Sequence, residues 1–277
     1  MTESTLNQKE IGEFYESITA MFWEIIHKRH MHSGFRDETN MDDNPFEASL
    51  RFTKMMVNWT EITGEGRFYD AGCGFGLPAI RLVEAKRCDL IGVTASKYQA
   101  NEANKLAEQE GFQNKAKFIV GDSNNLNFED NYFDGAWFFE SFIHMGISAL
   151  KEAHRVLKPE SLLLIADFIK LETFSNEDEK ILKNHISLSS LYEIKDFPPI
   201  LEENGFKLLE IRDITKESKA KVLEYYIDEL ERRKNLLINR FGEKEYLYLS
   251  DIAMKWAKMR NEKLGYCVIK ARIKKGK

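Results

Sequence analysis

Apolar residues recur at helical spacing near the start of the chain, at Phe14, Ile18, Met21, Phe22, Ile25 and Ile26, and the pattern dissolves over residues 29–44. Asn44-Pro45-Phe46-Glu47 then reads as a helix start, with Asn as N-cap, Pro at the first position and Glu three residues after the cap. From Arg67 the pattern changes to short apolar runs alternating with amphipathic stretches. Residues 68–71, 90–94, 117–121, 133–140 and 162–168 are predicted strands, and 77–85, 97–110 and 147–157 are the helices between them. Such alternation predicts an α/β fold, a parallel sheet with helices on both faces and ligands beyond the carboxyl ends of its strands. After Lys170 the pattern loosens: residues 171–194 are polar and helical, 197–203 follow, and a strand is predicted near 207–214. Two charged helices cross 216–239 and 244–262, before a last strand at 266–273. The two helices read either as a cover for the domain or as a lid over a substrate.

Composition narrows the class. A chain of 277 residues with 43% apolar and 31% charged residues is expected to be globular, with no need of a disulfide or metal staple. Its net charge of -5 argues against a nucleic-acid backbone as the main partner. Cys73, Cys88 and Cys267 have neither pairing nor zinc spacing, which fits a reducing, cytoplasmic setting. Residues 1–13 lack the apolar core of a signal peptide, and the longest clean apolar run, 162–166, is too short for membrane insertion. No linker, repeat or low-complexity tract divides the chain, so a single domain over 1–277 is expected.

The most specific signal is Asp70-Ala71-Gly72-Cys73-Gly74-Phe75-Gly76, glycines at alternate positions after an apolar strand and before a helix. Glycine lets the backbone turn at positive φ and lets a ligand touch the main chain. A dinucleotide loop would carry its third glycine one residue later, where this chain has Leu77, and Asp70 would repel a phosphate but attract a cationic or amine-bearing ligand. The motif resembles motif I of the class I S-adenosylmethionine-dependent methyltransferases. The resemblance implies a Rossmann-like, seven-stranded, mostly parallel sheet with an N-terminal helical flap (1–44), a cofactor-binding core (45–170), a helical lid and strand (171–262) and a final strand and tail (263–277). Most of that family ends the second strand with an acid that holds the ribose; here Thr94-Ala95-Ser96 followed by Gln99 is similar to the cyclopropane fatty acid synthase branch. Thr94, Ala95 and Gln99 are thereby expected at the cofactor, although Ser96 to Gln99 also has capping-box spacing. The family order assigns Asp122 and Ser123 to the adenine, against the plain alternative of a turn.

Glu140-Ser141-Phe142-Ile143-His144-Met145, Arg155 to Pro159, Ile165 to Phe168 and Leu264 to Arg272 resemble the rebeccamycin sugar O-methyltransferase and its sarcosine, tocopherol and phosphoethanolamine methyltransferase relatives. The likeness is firm over 68–168, weaker at Tyr15, His32 to Phe35 and the C-terminal strand, and faint across 171–262; Arg36 departs from the Trp usual in relatives. It implies methyl transfer from S-adenosylmethionine to a small molecule, first a hydroxyl of a secondary metabolite or sugar. Rivals are an amine or phosphobase nitrogen, a lipid or isoprenoid carbon, and a non-methylating cyclase or regulator on the same fold. His144 is the expected base and Asp167 the carboxylate that holds its tautomer. Glycines 72, 74 and 76 (Gly72, Gly74, Gly76), Asp70 and Glu140 are expected at the cofactor, with Tyr15 and His32 on a flap over its methionine end. His27, His30 and His32 have a spacing that could supply metal ligands, but no cysteine completes a site and the methyl donor is already activated, so no metal is expected.

Overall fold

The computed structural model describes residues 18–27, 32–188 and 190–275. The expectations for Phe14, Tyr15 and His30 lie outside these residues. The strands are β1 (Arg67–Ala71), β2 (Asp89–Thr94), β3 (Ala116–Val120), β4 (Phe133–Phe139), β5 (Leu157–Lys170), β6 (Phe206–Asp213) and β7 (Leu264–Ile273). They form one seven-stranded sheet in the order β3-β2-β1-β4-β5-β7-β6, parallel except for β7, which runs antiparallel to both neighbours. The sheet is built outward from β1 in both directions, so the crevice for a ligand opens beyond the carboxyl ends of β1 and β4.

Helices cover both faces. Before the sheet come α1 (Ile18–His27) and α2 (Pro45–Trp59); α3 (Leu77–Lys86), α4 (Lys97–Gln109), α5 (Phe142–Met145) and α6 (Ile147–Val156) lie among the first five strands. Then follow α7 (Asn176–His185), α8 (Phe197–Glu203), α9 (Thr215–Lys219), α10 (Val222–Phe241) and α11 (Glu243–Glu262). Phe68 and Trp137 point to one core with α2, α3 and α11, while Tyr69 and Phe138 point to the other with α6 and α8. Alternate residues of a strand face opposite ways, which is why these buried strands read as continuous apolar runs. The helix start at Asn44 is as expected: the Asn44 side chain accepts from the Glu47 amide at 3.0 Å and Glu47 accepts from the Asn44 amide at 3.0 Å.

Three departures have physical causes. The fifth strand extends from Leu157 to Lys170, because β4 pairs with it back at Phe133↔Leu157 and β7 pairs with it as far as Lys170↔Leu264. Among the described residues, 171–194 are helical over α7 and at the start of a short turn, Ile194–Asp196; after α7 the chain turns through Ser187 at φ 57. The predicted helix over 216–239 is broken between α9 and α10, where Lys221 has φ 60 and the Arg36 guanidinium takes the Ala220 carbonyl at 3.1 Å. Arg36 also donates to the Asp43 carbonyl at 3.1 Å, so this residue ties the 32–36 segment to the helical cover.

Candidate active site

The cleft at the carboxyl ends of β1, β2 and β4 is lined by the glycine loop, the ends of β2 and β3, α5, the 32–33 segment and residues of the cover. The loop hangs from β2, with the Gly72 and Cys73 amides donating to the Val93 carbonyl at 2.9 and 3.0 Å. Its glycines differ in purpose. A Cβ at Gly72 would meet Ser141 Cβ at 2.5 Å, and one at Gly76 would meet Phe118 Cζ at 2.7 Å, so both are sites of close packing. A Cβ at Gly74 would meet nothing within 4 Å, because that residue, at φ 51, faces the open cleft.

Asp70 sits beneath the glycine loop, 2% exposed and behind the residues that line the cleft. Burial pushes its carboxyl up to about 7, opposed by the indole of Trp137, its register neighbour on β4.

At the end of β2 the Thr94 hydroxyl donates to Gln99 Oε1 at 2.7 Å and accepts from the Ser96 amide at 3.2 Å. Ser96 does cap α4, accepting from the Gln99 amide at 3.2 Å. The Gln99 side chain, however, reaches Thr94 and not the Ser96 amide, so only half of a capping box is present. Thr94, Ala95 and Gln99 all line the cleft. After β3 the Asp122 carboxylate accepts from the Asn124 amide at 2.9 Å, the turn contact, and Ser123 Oγ accepts from the Tyr69 hydroxyl at 2.8 Å. Asp122, Ser123 and Asn124 face the same cleft, and Asn124 Oδ1 is a buried acceptor with no partner among the described residues. Sequence reasoning passed over Asn124, whose signal was its place beside Asp122.

His32 also lines the cleft. Its ring stacks on Phe139 with centroids 4.3 Å apart, and its nitrogens meet Ser49 Oγ at 3.2 Å and Thr53 Oγ1 at 3.2 Å. Burial lowers its pKa to about 4, so at neutral pH it is uncharged. Glu140 turns out of β4 at φ 51 and accepts from the Ser33 amide. Burial raises its pKa, opposed by Arg260 and the Ser33 bond.

His144 is on α5, and its Nδ1 lies 2.7 Å from the Ser187 carbonyl oxygen. A carbonyl only accepts, so Nδ1 carries the proton and Nε2 the lone pair. Burial lowers the His144 pKa, with the Ser187 carbonyl and Glu140 opposing. Asp167 is not the partner that was expected. It lies inside β5, fully buried, and accepts from the Ile143 amide at 3.1 Å and the Phe168 amide at 2.8 Å. It therefore anchors the start of the helix that carries His144 and does not hold the imidazole. Burial drives its pKa well up, followed by the Glu140 charge, against those amides.

The cover contributes Ile186, Tyr226, Trp256 and Arg260 to the cleft, none of them singled out from the sequence. Among the described residues no group of three His, Cys, Asp or Glu is placed to hold a metal ion, and no helix is long and apolar enough to cross a membrane.

Residues 69–165 match a family described as "Methyltransferase domain". The chain is 30% identical over 205 residues to (+)-O-methylkolavelool synthase of Herpetosiphon aurantiacus, covering 73% of this chain and 72% of that one. It is 27% identical over 266 residues to O-methyltransferase resE of Aspergillus sclerotiorum, covering 95% and 96%. Among solved structures, the [4+2]-cyclase SpnF superposes with a TM-score of 0.84 at 23% identity, over 98% of both chains, a likeness of fold. The chain belongs to the methyltransferase-domain family and is an S-adenosylmethionine-dependent methyltransferase acting on a small molecule.

Proposed function

We propose that the acceptor is a hydroxyl of a small secondary metabolite and that His144 takes its proton. The observation that carries this reading is the hydrogen bond from His144 Nδ1 to the Ser187 carbonyl, which leaves Nε2 as a neutral base in the same cleft as the glycine loop. When bound, S-adenosylmethionine supplies an electrophilic methyl group on a sulfonium. The residues fit that cofactor: Gly74 leaves the space a side chain would fill, and Asn124 Oδ1 is an acceptor in want of a donor such as an amine. Gly72, Gly74 and Gly76 shape the loop for the methionine end, with His32 and Glu140 across the cleft from it. The Thr94–Gln99 pair serves the ribose, Ala95 leaves room beside it, and Asp122, Ser123 and Asn124 face the adenine. Asp70 and Asp167 act indirectly, one beneath the loop and the other at the start of α5.

A hydroxyl that attacks carbon becomes an acidic oxonium, so a positioned base assists the attack. An apolar wall of Ile143, Phe168, Ile186 and Trp256 keeps water from competing. The chain works as one domain in a reducing compartment, a reading supported by its single sheet and by three buried, unpaired cysteines. The test is release of S-adenosylhomocysteine with a panel of hydroxylated terpenoids, polyketides and glycosides. Turnover confined to amine acceptors, or none with any acceptor despite cofactor binding, would overturn the hydroxyl assignment.

A further inference from the structure

Arg260 lies on α11, 9% exposed, with its guanidinium in the wall of the cleft. A cation so far from water ordinarily has a carboxylate beside it, because a buried charge without compensation is strongly unfavourable. Here the direct contacts are neutral, although the buried Glu140 lies close enough to feel the charge. Nη2 donates to Ser33 Oγ at 2.7 Å, and the guanidinium lies 4.9 Å from the ring centre of Phe168 and 5.9 Å from that of Trp256. Among the described residues, no Asp or Glu oxygen comes within 4.0 Å of it. Glu229, the buried acid on facing α10, is taken by Arg232 and Arg233. Glu140 feels the charge but accepts from the Ser33 amide. Ser33 thus stands between the two, its hydroxyl on the cation and its amide on the acid.

We propose that Arg260 receives a carboxylate carried by a ligand of this cleft. Its planar fork of N–H donors matches a carboxylate in a way a point charge does not, and the aromatic rings hold that fork in place. The proposal rests on the methyltransferase reading. Two ligands have the required chemistry: the amino-acid end of the cofactor, and an acidic methyl acceptor.

The experiment is calorimetry on the full chain, wild type against Arg260→Met and Arg260→Lys, with thermal midpoints as the check on folding. S-Adenosylhomocysteine is compared with 5′-methylthioadenosine, which keeps the nucleoside thioether and lacks the amino-acid end. If the cofactor's carboxylate is received, Arg260→Met loses S-adenosylhomocysteine affinity about 10- to 100-fold, methylthioadenosine binds as before, and Arg260→Lys falls between. If the acceptor's carboxylate is received, S-adenosylhomocysteine affinity stays put. Decanoate then binds the S-adenosylhomocysteine-saturated wild type about 10-fold more tightly than decanol, and Arg260→Met loses that preference. Should the Met variant fail to fold, Arg260→Lys reads the same preferences by partial loss. The proposal is overturned if both preferences survive the substitutions or if the wild type shows neither. A wild type that binds no S-adenosylhomocysteine at all would instead strike at the methyltransferase reading.

Discussion

Replacing His144 tests the chemistry most directly, provided two consequences are separated. His144→Ala removes the base, but it also strips the Ser187 carbonyl of its donor, and an unmet carbonyl costs about 1–3 kcal/mol of stability. His144→Asn keeps a side-chain N–H able to donate to that carbonyl and has no basic nitrogen. Both variants are therefore expected to lose kcat by about 10²–10⁴-fold, or about 2.7–5.4 kcal/mol of barrier, while only the Ala variant melts early. Binding of S-adenosylhomocysteine should hardly change, because the glycine loop and the β2 and β3 ends lie on other elements. The wild-type rate has a defined pH dependence. Burial lowers the His144 pKa below its ordinary 6.5, and the working form is neutral. The rate should thus be flat above about pH 6.5 and fall only as acid protonates the ring below it. Stopped-time assays of S-adenosylhomocysteine release across pH, with melting curves for each variant, make the measurement. A His144→Asn enzyme within about threefold of wild type, with an unaltered acid limb, would refute the base role.

Gly74→Ala should fold with a loss of only about 1–2 kcal/mol from its positive φ, yet lose S-adenosylhomocysteine affinity at least about 10-fold by calorimetry. Unchanged affinity would place the cofactor elsewhere. Asp70, held at about 7 against 3.8 when exposed, contributes stability that is fully present below about pH 3.8 and lost as pH rises through 7. Asp70→Asn should accordingly gain in melting temperature over wild type at pH 8 relative to pH 5; a difference that does not vary with pH contradicts the burial argument. EDTA should leave turnover intact, and restoration of a chelated enzyme by a divalent ion would show a metal requirement.

What the sequence carried and what it did not divide along physical lines. The strand–glycine–helix turn and the Asn44 cap are local: their residues need only neighbours a few positions away, so their geometry followed from spacing. Asp167 shows the limit. Its apolar run looks finished near Phe168, but pairing with β7, contributed from about a hundred residues later, pulls it inside the ladder and aims it at the α5 amides. The partner of His144 comes from the loop after α7, and no pattern around the histidine announces it. Arg36 read as a departure from relatives; its use, holding the Ala220 carbonyl at the break between α9 and α10, belongs to tertiary structure alone. Arg260 looked like one more charge on a polar helix, because a helical pattern does not say which polar residue its neighbours will enclose.

The place of β7 has a consequence for how this chain is made. The strand latest in chain order lies between β5 and β6, so β6 has no partner in the sheet until residues 264–273 arrive. As the chain leaves the ribosome, β1 to β5 can pair in order, while β5 waits with an open edge and the covering helices α10 and α11 emerge with nothing complete to cover. Closing β6 onto β7 spans the whole excursion through α9, α10 and α11, a contact between residues far apart in sequence. The wall of the cleft that Tyr226, Trp256 and Arg260 line thus takes shape last, and a ribosome that stalls short of Leu264 leaves a nascent chain with the glycine loop made but that wall unfinished.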